Sequence, residues 1–185
     1  MKSTPLLLIR HAESTWNASE RWQGHGDPPL SSRGRDQAHA LARELASEAV
    51  DVLVCSDLRR AVETAEILGK AWGLAPEPVR ALRELDVGSW TGLPREEIEE
   101  RDSKRLARFE SGEPDLRPGG GESRAEIRLR VRAALTELVE AHPGERIAVV
   151  AHLGVIRALQ PGSEPANTEL IGTSLEALRA SWPLG

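Results

Sequence analysis

The chain reads as an α/β protein built on a mostly parallel sheet, and three observations predict it. The apolar runs Leu6-Leu7-Leu8-Ile9, Val50-Asp51-Val52-Leu53-Val54-Cys55 and Ile147-Ala148-Val149-Val150-Ala151 have the length of short buried strands. Stretches with apolar residues at helical spacing separate them, the alternation expected of βα units. Each run ends in polar residues: Arg10-His11, Ser56-Asp57-Leu58-Arg59-Arg60 and His152. Ligand sites of open α/β sheets form beyond the carboxyl ends of the strands, so two histidines and an arginine reach one sheet edge. That is a setting for an anion.

Composition narrows the partners. A chain of 185 residues is long enough for one domain with a substantial core. Its net charge of −5 argues against non-specific binding to nucleic acid or to an anionic membrane, so affinity for phosphate must come from a local cluster. The single Cys55 excludes a disulfide framework and a multi-cysteine metal site, and is compatible with a reducing cytoplasm. Lys2 is followed by too few apolar residues for a secretory leader, and no stretch is long enough to span a membrane. The expectation is a cytoplasmic protein, monomer or homodimer, with no membrane or nucleic-acid partner.

After the first strand, Thr15 to Leu30 is polar, rich in Gly and Pro, and reads as a long loop over the sheet edge. Ser31 or Ser32 caps a helix carrying Ala38, Leu41, Ala42 and Leu45. Ser56 or Asp57 caps the next, whose apolar stripe is Ala61, Ala65, Leu68 and Trp72 and which Gly73 closes. Val79 to Leu85 reads as a short strand and its exit. Pro94 opens a charged helix whose thin stripe (Ile98, Leu106, Phe109) reads as a cap or lid rather than core. Gly119-Gly120-Gly121 reads as a flexible joint. Ser123 caps a long helix with Ile127, Val131, Leu135 and Leu138 facing inward. Gly154 to Leu159 makes one or two helical turns. An edge strand near Thr168 to Ile171 follows, with a further strand or a helical turn at Leu175 to Leu178. The chain is thus one domain, 1–185, with a small helical cap around 93–122.

His11 is the candidate nucleophile toward phosphorus, with the Arg10 fork clamping phosphoryl oxygens; the bland alternative is a strand-end histidine bonded to backbone. His152, at the end of a second run, is a second donor to the same group. One of Arg59 and Arg60 faces the site: two arginines in a helix's first turn oppose its macrodipole, and an anion at the sheet edge supplies the reason. Glu84, in Leu82-Arg83-Glu84-Leu85-Asp86, is the candidate proton donor to the leaving oxygen; otherwise it is a surface carboxylate paired with Arg83.

Five ordered blocks carry a resemblance. They are Arg10-His11-Ala12-Glu13-Ser14-Thr15-Trp16-Asn17; Gln23-Gly24 with Asp27, Leu30, Ser31, Gly34 and Gln37-Ala38; Ser56 to Ala65; Leu82 to Gly92; and Pro118 to Ser123 with Ala151-His152-Leu153-Gly154-Val155-Ile156-Arg157. This constellation resembles the histidine phosphatase superfamily, which includes the cofactor-dependent phosphoglycerate mutases. The resemblance implies a three-layer α/β/α sandwich, phosphoglycerate mutase-like. It implies His11 as the phosphorylated residue, with Arg10, Arg60 and His152 as the phosphate pocket. Asn17 would support that pocket, Gln23 and Gly24 would line it, and Glu84 would donate and accept the proton. No metal and no cofactor are expected. Ala12 and Leu153 stand where the family has Gly; Leu153, placed at the substrate, narrows the pocket or alters a backbone N–H contact.

Three readings follow. A small phosphorylated substrate is hydrolysed through a phosphohistidine; a second hydroxyl accepts the phosphoryl group, as in a mutase; or the chain is a catalytically weak phosphate-binding module. The short Leu93–Pro118 segment favours the phosphatase, and the presence of both His, both Arg and Glu84 speaks against the third. His11-Ala12-Glu13 is formally the start of a zinc deaminase signature, but no cysteine pair follows it. Trp16, Trp22 and Trp90 either stack on substrate or anchor loops. Glu13 reads as a partner of a pocket arginine.

Overall fold

The computed structural model describes residues 4–182; Met1–Ser3 and Pro183–Gly185, the ends of the expected 1–185 domain and of the leader reading, lie outside the described residues. Five strands form one sheet in the order β3-β2-β4-β1-β5. β1 (Pro5–Arg10), β2 (Val52–Cys55), β3 (Glu77–Pro78) and β4 (Ile147–Ala151) run parallel, and β5 (Leu170–Ser174) pairs antiparallel to β1 at the edge.

Strand period 2 sorts the core into two faces. Leu7, Ile9, Leu53, Cys55, Ala148 and Val150 pack against α2 (Ser32–Glu44) and α3 (Arg59–Trp72). Leu6, Leu8, Val54, Ile147, Val149 and Ala151 face the other way, against α5 (Arg124–Ala141), α6 (Leu153–Leu159) and α7 (Leu175–Ser181). The result is a three-layer α/β/α sandwich. Because β4 inserts between β2 and β1, the strands whose exits carry Arg60, His152 and His11 are direct neighbours.

Several local expectations are corrected. The Thr15–Leu30 loop contains one helical turn, α1 (Thr15–Ala18), fixed by a capping box between Ser14 and Asn17. α3 is capped by Leu58 without a side-chain bond; Asp57 is instead taken by Arg83, which donates to both carboxylate oxygens at 2.7 and 2.8 Å. Residues 79–85 do not form a strand, since the ladder ends at Pro78 and a 3-10 turn, Arg80–Leu82, follows. The edge strand falls at Leu170–Ser174 rather than Thr168 to Ile171, and of the two readings of Leu175 to Leu178 the helical one is found, in α7 capped by Ser174.

α4 (Arg95–Glu110) keeps its charged face in solvent, but Ile98, Leu106 and Phe109 are buried in the main core with Trp90. Phe109 and Trp22 stand edge-on, 5.6 Å between centroids, and Trp22 meets Trp90 at 5.3 Å. The glycine run is no flexible joint. A Cβ on Gly119 would fall 2.3 Å from Val87 O and one on Gly88 2.3 Å from Gly119 O, so two backbones interlock there. Glu122 N donates to Asp86 O at 2.8 Å, fastening the run to the segment after Glu84.

Candidate active site

Sheet register decides where the two histidines meet. Arg10 lies opposite Ala151, so His11 and His152 leave neighbouring strands side by side. Their ring centroids are 5.1 Å apart, and both side chains are buried. His11 Nδ1 lies 2.7 Å from Ala12 O, an acceptor that requires the hydrogen on Nδ1 and leaves the Nε2 lone pair free. Burial, reinforced by the Arg60 guanidinium, holds His11 well below its ordinary 6.5, so the ring is neutral. The same two causes keep His152 neutral, and neither of its ring nitrogens has a hydrogen-bond partner among the described residues.

Of the arginine pair, Arg59 points outward and donates to Glu63 at 2.6 Å. Arg60 is wholly buried. Its Nη1 donates to Gly26 O at 2.8 Å and its Nη2 to Gly24 O at 3.0 Å, while Nε has no partner among the described residues. Burial lowers its pKa to about 10, and it stays charged at neutral pH. Arg10 Nη1 donates to Pro165 O at 2.8 Å, and its buried Nε is likewise unpartnered among the described residues. Both guanidinium groups are therefore steered by backbone carbonyls while keeping donors in reserve.

Glu84 does not pair with Arg83. Its Oε1 accepts from Leu85 N at 2.7 Å and its Oε2 from Gly154 N at 3.2 Å, at the start of α6. The Glu84 backbone carbonyl is held too, by His25 Nε2 at 2.9 Å and by Arg130 Nη2 at 3.4 Å.

These groups share one cavity of about 230 Å³. Arg10, His11, Gln23, Gly24, Arg60, Glu84, Leu153 and Gly154 line it, with an apolar wall from Trp22, Val87, Phe109 and Ile127. Arg124, Arg128 and Arg157 complete the wall. His152 and Asn17 are not on its surface: His152 stands against His11, and Asn17 Oδ1 accepts from Ser14 N at 3.0 Å. Ser14 Oγ in turn donates to Gln23 Oε1 at 2.8 Å, so Asn17 acts on the cavity through Ser14.

Of the tryptophans only Trp22 reaches the wall. Trp90 Nε1 donates to Asp102 Oδ2 at 3.2 Å, and Trp16 packs over Gly26 and Gly92. Glu13 turns away from the pocket arginines and accepts from Ser31 Oγ at 2.7 Å. Burial, with help from Asp57 and Glu66, pushes the Cys55 thiol up to about 12, so it is an inert small hydrophobe. Among the described residues no group of three or more His, Cys, Asp or Glu is placed to hold a metal ion, and no helix is long and apolar enough to cross a membrane.

The contacts of three residues escaped sequence reasoning. Thr64 Oγ1 accepts from Ala12 N at 3.1 Å and donates to Arg60 O at 2.7 Å, tying the two phosphate-pocket segments together. Asn167 Nδ2 donates to His11 O at 2.8 Å from the far end of the chain. Arg130 donates to Ala81 O, Arg83 O and Glu84 O while its other edge grips Glu122. The four-residue spacing from Arg60 to Thr64 was the one visible signal.

Comparison with known proteins adds a lineage to this geometry. The family model for the histidine phosphatase superfamily (branch 1) matches residues 6–167. The metal-independent phosphoserine phosphatase of Arabidopsis thaliana is 41% identical over 160 residues, covering 84% of this chain and 67% of that protein. Phosphoglycerate mutase-like protein 4 of the same plant is 37% identical over 180 residues, covering 94% and 78%. The native structure of a mycobacterial glucosyl-3-phosphoglycerate phosphatase superposes with a TM-score of 0.83 at 32% identity, covering 92% of this chain and 90% of that one.

Proposed function

The chain belongs to the histidine phosphatase superfamily, and from that premise we propose that it hydrolyses small phosphomonoesters without a metal, through a phosphohistidine on His11. One observation carries the reading. His11 is buried and neutral, its Nδ1–H is fixed on Ala12 O, and it lines the cavity also lined by Arg10, Arg60 and Glu84.

In the first step the Nε2 lone pair of His11 attacks phosphorus in line, and the bond to the ester oxygen breaks as the N–P bond forms. Glu84 transfers its proton to the departing alkoxide. Spare donors on Arg10 and Arg60 take up the charge on the phosphoryl oxygens, and His152, behind the cavity surface, backs the His11 ring; in phosphoryl transfer such fixed electrostatics is the main contribution. In the second step Glu84 takes a proton from water, whose oxygen attacks phosphorus and breaks the N–P bond. Gln23 and Gly24 line the pocket for these oxygens, Asn17 supports Gln23 through Ser14, and Leu153 contacts the leaving group. Phe109 brings the 93–122 segment to the same wall, as a cap on a single domain.

The test is a trapped intermediate. Mixing the protein with an aryl phosphate and quenching is expected to give an acid-labile phosphoryl adduct on His11 that decays in water with release of phosphate. An adduct stable until an alcohol or phosphoglycerate is added would convert the reading to a mutase, and no adduct on folded protein would leave a phosphate-binding module.

A further inference from the structure

The cavity holds more positive charge than a phosphoryl group needs. Five guanidinium groups line it, those of Arg10, Arg60, Arg124, Arg128 and Arg157, against the single carboxylate of Glu84. Arg10 and Arg60 sit beside His11 and account for a phosphomonoester dianion. Arg157 is paired with Glu164. That leaves Arg124 and Arg128.

These two stand one turn apart on α5, a like-charge spacing that weakens a helix. Arg124 also occupies the first turn, where a cation opposes the macrodipole. Neither has a carboxylate partner among the described residues, although other α5 arginines are provided for: Arg130 grips Glu122 at 2.6 Å, and Arg132 stacks 4.4 Å over Trp182. Among the described residues Arg124 has only the Phe109 carbonyl at 3.1 Å and the Phe109 ring at 4.2 Å, and the buried Nε atoms of both Arg124 and Arg128 have no partner. Burial, and after it the neighbouring Arg157 and Arg128, lower the pKa of Arg124. Ile127, between the pair in sequence, lines the same cavity as Trp22 and Phe109 and adds to its apolar wall.

We infer that Arg124 and Arg128 form a subsite for a carboxylate on the substrate, so that the preferred ester is a small phosphorylated hydroxy acid or amino acid. A guanidinium fork suits a planar carboxylate, and such a trianionic ester balances the charge that a phosphorylated neutral alcohol leaves uncompensated. The short carbon skeleton lies against the apolar wall. This inference rests on the phosphatase reading of the same cavity.

The experiment compares 3-phosphoglycerate with glycerol 3-phosphate, which share a carbon skeleton and differ by a carboxylate. The ratio of their kcat/KM values is expected to favour the acid roughly tenfold or more, as charged hydrogen bonds do. Arg128→Gln should bring that ratio toward one, and Arg128→Lys should restore part of it. Calorimetric binding of both esters to His11→Ala protein, with and without Arg128→Gln, reads the subsite without turnover. Hydrolysis of both esters at equal efficiency overturns the subsite and spares the phosphatase. Preferential binding of the acid by a chain that hydrolyses neither keeps the subsite and overturns the phosphatase. Equal binding of the two esters, or a preference unchanged by Arg128→Gln, overturns the subsite outright.

Discussion

Glu84 and Gly154 are fitted to each other: Gly154 N donates to Glu84 Oε2 at 3.2 Å, and a Cβ on residue 154 would fall 2.1 Å from Glu84 Oε1. The missing side chain is what lets a carboxylate rest against the start of α6. In Gly154→Ala the atom that must move is the end of a flexible side chain, so the fold is expected to survive. The carboxylate, however, leaves the position from which it serves the ester oxygen. Misplacement on the ångström scale costs on the order of 10²-fold in rate. Steady-state kinetics on an aryl phosphate should show kcat reduced about that much, with an unchanged circular dichroism spectrum; full activity would mean that Glu84 is not the proton carrier.

The two buried histidines set a pH dependence of stability. His11 and His152 both have folded pKa values pressed below the unfolded 6.5, first by burial and then by Arg60. Above 6.5 neither state binds the proton and stability is at its plateau. Below 6.5 the unfolded chain takes up protons that the folded chain refuses, so stability falls as pH falls. Urea midpoints between about pH 8 and pH 5 should drop on the acid side, and His152→Gln should flatten that slope. A midpoint indifferent to pH in this range would show that the rings are not held neutral.

Thr64 is the hinge between the nucleophile and its arginine. Thr64→Val keeps the shape but leaves the buried Ala12 N–H without the acceptor it has at 3.1 Å. An unsatisfied buried donor costs about 1–3 kcal/mol, and the loss should appear as a lower urea midpoint at unchanged m. Because Ala12 O is also what fixes His11 Nδ1, kcat should fall alongside, and Thr64→Ser should recover both. Recovery of stability alone would separate the two effects.

Much of this site was legible because strands announce themselves and their exits. The runs ending at Arg10 and Ala151 are apolar without interruption, and once β4 lies beside β1 the parallel register places His11 beside His152. What was hidden depends on which residues are neighbours in space only. Asp57 looks like a helix cap in sequence, but Arg83, 26 positions later, takes both of its oxygens. α4 looks detached because its apolar stripe is thin, yet Ile98, Leu106 and Phe109 suffice when Trp22 and Trp90 supply the rest of that layer. Gly119 reads as slack, although its lack of a side chain is what permits close backbone contact with Val87. Arg124 and Arg128 carry no signal in the sequence, where only the apolar positions Ile127, Val131, Leu135 and Leu138 of α5 stand out.

Arg130 offers the most direct test that Glu84 is positioned as well as present. Its guanidinium donates to Ala81 O at 2.6 Å and Arg83 O at 3.0 Å, and reaches Glu84 O at 3.4 Å, so one side chain from α5 clamps the backbone that carries the carboxylate. The opposite edge is bidentate to Glu122 at 2.8 and 2.6 Å, which in turn is tied through its own N–H to Asp86 O. Replacing Arg130 by Met keeps much of the stem but leaves Glu122, only 16% exposed, without its partner. Breaking a partly buried pair in this way should cost about 2–3 kcal/mol, less than the figure for a fully buried one because water reaches it. Glu122→Gln combined with Arg130→Met removes the stranded charge and should recover part of that stability. It cannot rebuild the clamp on the 81–84 backbone, so kcat should stay low in the double variant. A double variant that regained activity along with stability would show that the clamp holds the fold and not the proton carrier.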